Sequence, residues 1–334
     1  MNVIGSNALV VVPSTVAPLA RPAPLTPGHA EARETADDCA ERAKATSTRR
    51  AYAAAWTAFE AWTAEQGRSP FPADGDLVAD YIGFLAREGL KPATVEVYLS
   101  ALSVAYAAAG FPGLRQHPRV KAVREGFQRS HGVAQRKAAP MAAGELRASL
   151  AALPATLGGT RDRALLLLGF AGALRRSELV ALDVADVRPV ADGMVMRIRR
   201  SKTDQKGVGC DLAIPFGASP EVCPVAALRA WLDAAGIVEG PLFRSVGKAG
   251  RVSAERLSDR SVALIVKAAA DRAGLDAAAF SGHSLRAGFT TAAARAGRAL
   301  PNIMRQTRHV KAETVLGYIR EADLFKDNAG AGLL

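Results

Sequence analysis

Cysteine is scarce in this chain. Only Cys39, Cys210 and Cys223 occur among 334 residues. None forms a CxxC pair or stands near a His at zinc-site spacing, so neither a disulfide framework nor a structural zinc is expected. So sparse a count suits a reducing cytosol. Long apolar runs are also missing. The longest, 164–174, has eleven residues, against about 20 needed to cross a bilayer. Residues 8–12 are apolar, but no basic residue precedes them, so no secretory signal is expected. Aromatics make up only 6% of the chain, and the 49% hydrophobic fraction leans on Ala. That composition favours closely packed helices over a sheet-rich core. No carboxylate cluster suggests a two-metal site, and no Walker motif suggests nucleotide-driven chemistry. No cofactor is therefore expected, and no metal.

Positive charge is abundant. The formal net charge is +11, with residues 1–43 at −2 and 44–334 at +13. The excess belongs to the expected folded part rather than to a tail, and a polyanionic partner accounts for it. The segment 114–137 holds Arg115, Arg119, Lys121, Arg124, Arg129, Arg136 and Lys137 against the single acid Glu125. A solvated helix face would interleave signs, so a nearby phosphate backbone is expected there.

Length predicts two domains. Residues 1–43, broken by Pro13, Pro18, Pro22, Pro24 and Pro27, read as a disordered leader. Helices are expected from a Ser47–Thr48 cap onward, then over 75–88, 92–106 and 117–130, an all-helical domain over 44–130. Residues 131–140 read as a linker. A second domain over 141–325 should hold helices at 142–152, 160–174 and 176–182. Two strands follow, 194–199 and 211–215, joined by the basic loop SKTDQKGVG. Helices resume at 222–235, 257–273, 282–296, 299–306 and 312–320, and a tail covers 326–334. The fold class is mainly α with a small β-sheet, an α+β second domain.

The chemistry-bearing residues cluster in three motifs. GALRRSEL (172–179) places Arg175 and Glu178 three apart, where Glu178 would orient the guanidinium toward a phosphate. Arg176 stands beside Arg175, and the register with Glu178 favours Arg175. SGHSLRAG (281–288) places His283 and Arg286 on one helix face, with Ser281 as a candidate cap. RQTRHVKAETVLGYIR (305–320) carries His309 and Tyr318. Nine residues along one helix turn through about 900°, leaving these two on opposite faces unless the helix breaks between them. Lys202 lies in the loop between the two strands, flanked by Arg199, Arg200 and Lys206. Two Arg, two His and a Tyr suit attack of a phenol hydroxyl on an anionic phosphodiester. Fixed cations would stabilise the charge that gathers on the phosphoryl oxygens.

These motifs, in this order, resemble the tyrosine recombinase (phage integrase) family over nearly all of 44–325. The resemblance implies an N-terminal SAM-like core-binding domain and a C-terminal catalytic domain. By position it implies Arg175 and Arg286 as the phosphate clamp and Tyr318 as the nucleophile, forming a 3′-phosphotyrosyl link. Lys202 would protonate the leaving 5′ oxygen, His283 would assist proton transfer at the nucleophile, and His309 would bond a non-bridging oxygen. The function implied is site-specific recombination or integration of DNA, without metal or ATP, by a mobile element's enzyme. The alternatives are type IB topoisomerase-like relaxation and a non-catalytic DNA-binding regulator on the same scaffold. The implied partner is double-stranded DNA, gripped between the two domains by a homo-tetramer on paired sites, with a monomer or weak oligomer when free. Localisation is expected to be cytoplasmic and nucleoid-associated, with no membrane partner. Candidate DNA contacts are Arg49, Arg50, Lys91, Thr94, Arg124, Lys137 and Arg200. One position departs from the family pattern. Arg308 stands where Gly commonly precedes this His, and is expected to add a phosphate contact or to shift the imidazole.

Overall fold

The structure, a computed structural model, describes residues 26–72, 74–132, 138–201, 204 and 207–322. The chain divides into two compact units, Met1–Gln135 and Arg136–Leu334. The division falls inside the segment 131–140.

The first unit is helical: α1 Pro27–Arg42, α2 Thr46–Glu65, α3 Gly75–Arg87, α4 Pro92–Ala108 and α5 Pro118–His131. Helix α1 lies inside the segment expected to be a disordered leader. Thr26 caps it by accepting the His29 amide at 3.1 Å, and Pro27 opens its first turn. The prolines end at 27, and the Ala, Glu and Arg that follow are helix formers. Residues 1–25 lie outside the described residues. Helix α2 begins at Thr46 with Ala45 before it and no side-chain cap, so Ser47 and Thr48 sit in its first turn rather than capping it. Trp56, Phe59, Trp62, Tyr81, Leu99 and Tyr106 form the core. The Trp56 and Tyr106 rings meet edge to face at 5.9 Å, a favoured aromatic geometry.

The basic run beginning at 114 is less one-sided in space than in sequence. Arg115 and Arg124 both pair with Glu96, at 3.0 and 2.5 Å. Arg119 pairs with Asp76 and Asp80, at 3.4 and 2.6 Å. The acids come from α3 and α4, which a local charge count does not reach. Burial alone would raise the Glu96 carboxyl, but the two guanidinia outweigh it and hold it below the usual carboxylate range.

The second unit holds α6 Ala143–Ala151, α7 Leu157–Ala171, α8 Arg176–Ala181, α9 Pro224–Ala235, α10 Asp259–Arg272, α11 Ser284–Arg295, α12 Leu300–Thr307 and α13 Ala312–Ala322. Among its described residues there are five strands rather than two. β1 Val187–Val190, β2 Gly193–Ile198 and β3 Cys210–Pro215 form an antiparallel sheet in that order, and β4 Arg244–Val246 pairs with β5 Val252–Arg256. β1 is a four-residue edge strand containing Pro189, a position where a missing amide is tolerated but which leaves little pattern to read. Helix α7 is buried all round at Leu165, Leu166 and Leu168. Helix α11 packs closely on the segment before α6. The Met141 amide donates to the Ser284 carbonyl at 2.9 Å, and a Cβ placed at Gly288 would lie 1.9 Å from the Met141 carbonyl oxygen. Only glycine permits that approach, and it seats the helix that carries Arg286.

Candidate active site

Four local structures bring the predicted residues together. The first is the turn after α7. Ala173 adopts a left-handed φ of 45°, a strained conformation for a residue with a Cβ. Its carbonyl oxygen accepts bonds from Arg286 Nη1 at 2.7 Å and Arg308 Nη2 at 3.1 Å.

The second is the start of α8. Glu178 accepts the Arg175 amide at 2.9 Å and the Arg175 guanidinium at 2.5 Å. The three-residue spacing therefore does two things: the carboxylate caps the helix start and holds the arginine beside it. Arg176 is exposed, its stem lying over Gly282, 2.1 Å from where a Cβ there would be, and its guanidinium 4.0 Å from Asp259. Glu178 pairs with Arg175, its neighbour three residues back.

The third is the start of α11. Ser281 accepts the His283 amide at 3.1 Å, and the Ser284 hydroxyl accepts the Ser281 amide at 2.9 Å. Ser281 thus organises the turn before the helix instead of capping its first turn. Arg286, one turn on, is 1% exposed.

The fourth is the break between α12 and α13. Arg308 turns left-handed at φ 56°, ψ 39°, and α13 restarts at Ala312. The chain leaves the helical conformation over 308–311, so the break expected within 309–314 begins one residue earlier, at Arg308. It carries Tyr318 round so that its hydroxyl lies 3.1 Å from His283 Nε2. His309 Nδ1 lies 2.8 Å from the Thr307 hydroxyl, which donates to the Ile303 carbonyl at 2.7 Å. With that proton committed, Thr307 accepts from Nδ1–H, and the neutral His309 ring presents Nε2 as an acceptor.

Electrostatically the site has an excess of cations. Arg175, Arg286 and Arg308 surround one carboxylate, Glu178. Burial, then Arg175 and Arg308, pull Arg286 down to about 9, still cationic at neutral pH. Burial and Arg286 lower His283. Burial, Arg286 and Arg175 take His309 down to about 4. Both rings are therefore neutral near pH 7. Arg286 Nη2 is buried with no partner among the described residues. A buried donor of this kind on a fixed cation, beside further cations, suits an anion.

Arg308 does not face outward to a phosphate. Its side chain is 9% exposed and bonds Glu178 at 2.7 Å. Lys202 and Lys137 lie outside the described residues. Arg200, Arg50, Lys91 and Thr94 are exposed, Arg49 is half-buried, and Arg124 is engaged by Glu96. The roles of Thr307 and the Ala173 carbonyl had no sequence signal, since neither a hydroxyl two residues before a His nor a left-handed Ala stands out in a chain.

Residues 141–324 match the Phage integrase family. Over 295 residues, 86% of each chain, the sequence is 42% identical to the "Integrase/recombinase xerD homolog" of Selenomonas ruminantium. The chain belongs to the phage integrase family. It is a tyrosine recombinase, an enzyme of site-specific DNA cleavage and rejoining. It is also 28% identical to "Recombinase cre" of Escherichia phage P1 over 282 residues, 79% of this chain and 80% of that one. Among solved structures, its fold resembles XerH site-specific recombinase bound to palindromic difH substrate (TM-score 0.59, 16% identity, covering 89% of this chain and 81% of that one). It also resembles a lambda integrase dimer bound to a COC′ core site (TM-score 0.56, 17% identity, 87% and 76%). The mainly α fold with small sheets accords with these recombinases. Among the described residues, no helix is long and apolar enough to cross a membrane.

Proposed function

We propose that this recombinase cleaves duplex DNA by attack of Tyr318 on a phosphodiester held by Arg175 and Arg286. The observation that carries this reading is the pair formed by His283 Nε2 and the Tyr318 hydroxyl at 3.1 Å, set beside the partnerless buried Nη2 of Arg286. In the step, the Tyr318 oxygen bonds to phosphorus and the P–O5′ bond breaks. The phenol proton passes to His283 and the 5′ oxygen takes a proton from Lys202. Rejoining is the same step reversed, and the phosphodiester energy is kept in the phosphotyrosyl bond. Side-chain cations here do what metal ions do in other phosphoryl-transfer sites. His309 bonds a non-bridging oxygen once the arriving anion has raised the ring's proton affinity.

Both units contact the duplex, with Arg49, Arg50, Lys91 and Thr94 on the first and Arg200 and Lys137 on or near the second. Phosphate contacts make affinity fall steeply with salt. The enzyme acts as a homo-tetramer on two paired sites, in the cytoplasm on nucleoid DNA, for a mobile element. The relatives are recombinases, which favours strand exchange over topoisomerase-like relaxation or a non-catalytic regulator. The test is a nicked duplex bearing the element's end sequences, incubated with the enzyme in EDTA. A denaturation-resistant adduct on the 3′ phosphate, with a free 5′ hydroxyl released, is expected. A requirement for added metal, or an adduct on the 5′ side, overturns the reading.

The pH dependence follows from His283. The neutral ring is the base, and it is lost as pH falls through its folded pKa, which lies below the ordinary 6.5. Cleavage at limiting DNA reports the free enzyme. It should therefore hold as pH drops past 6.5 and fall only at lower values. His283→Gln should slow cleavage about 10²–10⁴-fold and erase that acid limb.

A further inference from the structure

Residue 308 occupies a backbone conformation that glycine adopts freely and arginine does not: φ 56°, ψ 39°. For a side chain with a Cβ this conformation is strained. The guanidinium that holds it there is turned inward. It donates to Glu178 at 2.7 Å, to the Gln306 carbonyl at 2.7 Å, and to the Gly172 and Ala173 carbonyls, both at 3.1 Å. Two of these acceptors are shared with the clamp. Glu178 is also the partner of Arg175, and the Ala173 oxygen is also the partner of Arg286.

We propose that Arg308 is a positioning residue for both clamp arginines, acting by sharing their acceptors. The proposal rests on the reading of Arg175 and Arg286 as the phosphate clamp. Sharing has a geometric side. Arg308 joins the end of α7, the start of α8 and the end of α12, so both clamp arginines are braced against one buried group. It also has an electrostatic side. Glu178 alone would neutralise Arg175 and draw its fork inward. With Arg308 on the other carboxylate oxygen, the three groups carry one net positive charge. Arg175 then keeps donors and charge available for phosphate. Arg308 touches no reacting atom and raises the field that the transition state meets.

Arg308→Gly separates this role from a structural one, because glycine relieves the backbone strain. The variant should melt at or above the wild-type temperature and bind duplex within about twofold. Its single-turnover cleavage of the nicked duplex should fall at least tenfold. Arg308→Lys keeps the charge but not the four-point geometry and should recover part of the loss. Adding Glu178→Gln to Arg308→Gly removes the uncompensated carboxylate while keeping a capping side chain at that position. It should raise the rate above that of Arg308→Gly alone, whether or not that variant is destabilised. Cleavage by Arg308→Gly at the wild-type rate overturns the proposal, as does a double variant no faster than the single one. Wild-type enzyme on the same duplex runs beside them. If it forms no adduct, the phosphotyrosyl reading has failed, not this one.

Discussion

Tyr318→Phe is expected to abolish the covalent adduct while leaving DNA binding within about twofold. The substitution removes one oxygen and keeps the ring. Helix α13 is anchored by Val315, which is fully buried with Ile303 and Ala294, and Tyr318 itself is only half-buried, so the fold does not depend on the hydroxyl. The nucleophile does. Tyrosine ionises near 10, and in the proposed step His283 Nε2, 3.1 Å away, takes its proton as it attacks. Without the oxygen there is nothing for His283 to activate. Removing a nucleophile from such a concerted set costs on the order of 10⁴-fold or more. Adduct formation on a nicked duplex, read on a denaturing gel, should fall below detection. Filter binding of intact duplex should not change. An adduct that persists in the variant would move the nucleophile to another residue and break the link between the α12–α13 turn and catalysis.

Much of this site was legible in the sequence because its spacings are geometric statements. His283 and Arg286, three apart, were expected to share a helix face; α11 begins at Ser284, so His283 stands exposed at the cap position just before it, while Arg286 is buried in its first turn. His309 and Tyr318, nine apart, demanded a helix break between them, and residues 309–311 lie outside both α12 and α13. Glu178 three residues after Arg175 was read as an orienting carboxylate, and the structure adds that it caps α8 with its other oxygen. What sequence could not show is contact across long separations. Glu96 pairs with both Arg115 and Arg124, so a basic run with one local acid was over-read as free charge. Arg308 reaches Glu178 across 130 positions. Its identity as a non-glycine in the turn was visible, but its direction was set by a buried carboxylate elsewhere in the fold. The leader was misjudged for a local reason, since helix-forming sequence begins directly after the last of its prolines. β1 escaped because four residues with one proline carry no periodicity.

Arg286→Met should separate catalysis from stability most sharply. Arg286 is 1% exposed and lies among Arg175 and Arg308, with Glu178 as the one opposing carboxylate among its perturbing neighbours. Its charge is therefore unfavourable in the free enzyme, as the fall of its pKa to about 9 shows. One half of its fork is fixed on the Ala173 carbonyl and the other half has no partner among the described residues. Methionine fills similar volume without burying a charge, and such replacements are often neutral or stabilising. The Ala173 oxygen keeps its bond from Arg308. The free variant is thus expected to melt at or above the wild-type temperature. Cleavage should drop about 10²–10³-fold, the loss typical for one fixed donor to a developing anion. Arg286→Lys should recover little of it, because an ammonium is a point charge without the planar fork that bridges carbonyl and phosphate together. The salt dependence of duplex binding should also lose about one unit of slope, as for one phosphate contact removed. Duplex DNA should raise the wild-type melting temperature by more than that of the methionine variant, because ligand stabilises only in proportion to its affinity for the folded state. A methionine variant that unfolds far below wild type would mean that Arg286 is held for the fold. One that is more stable and inactive would mean that the buried charge is retained against stability, for the phosphate it meets.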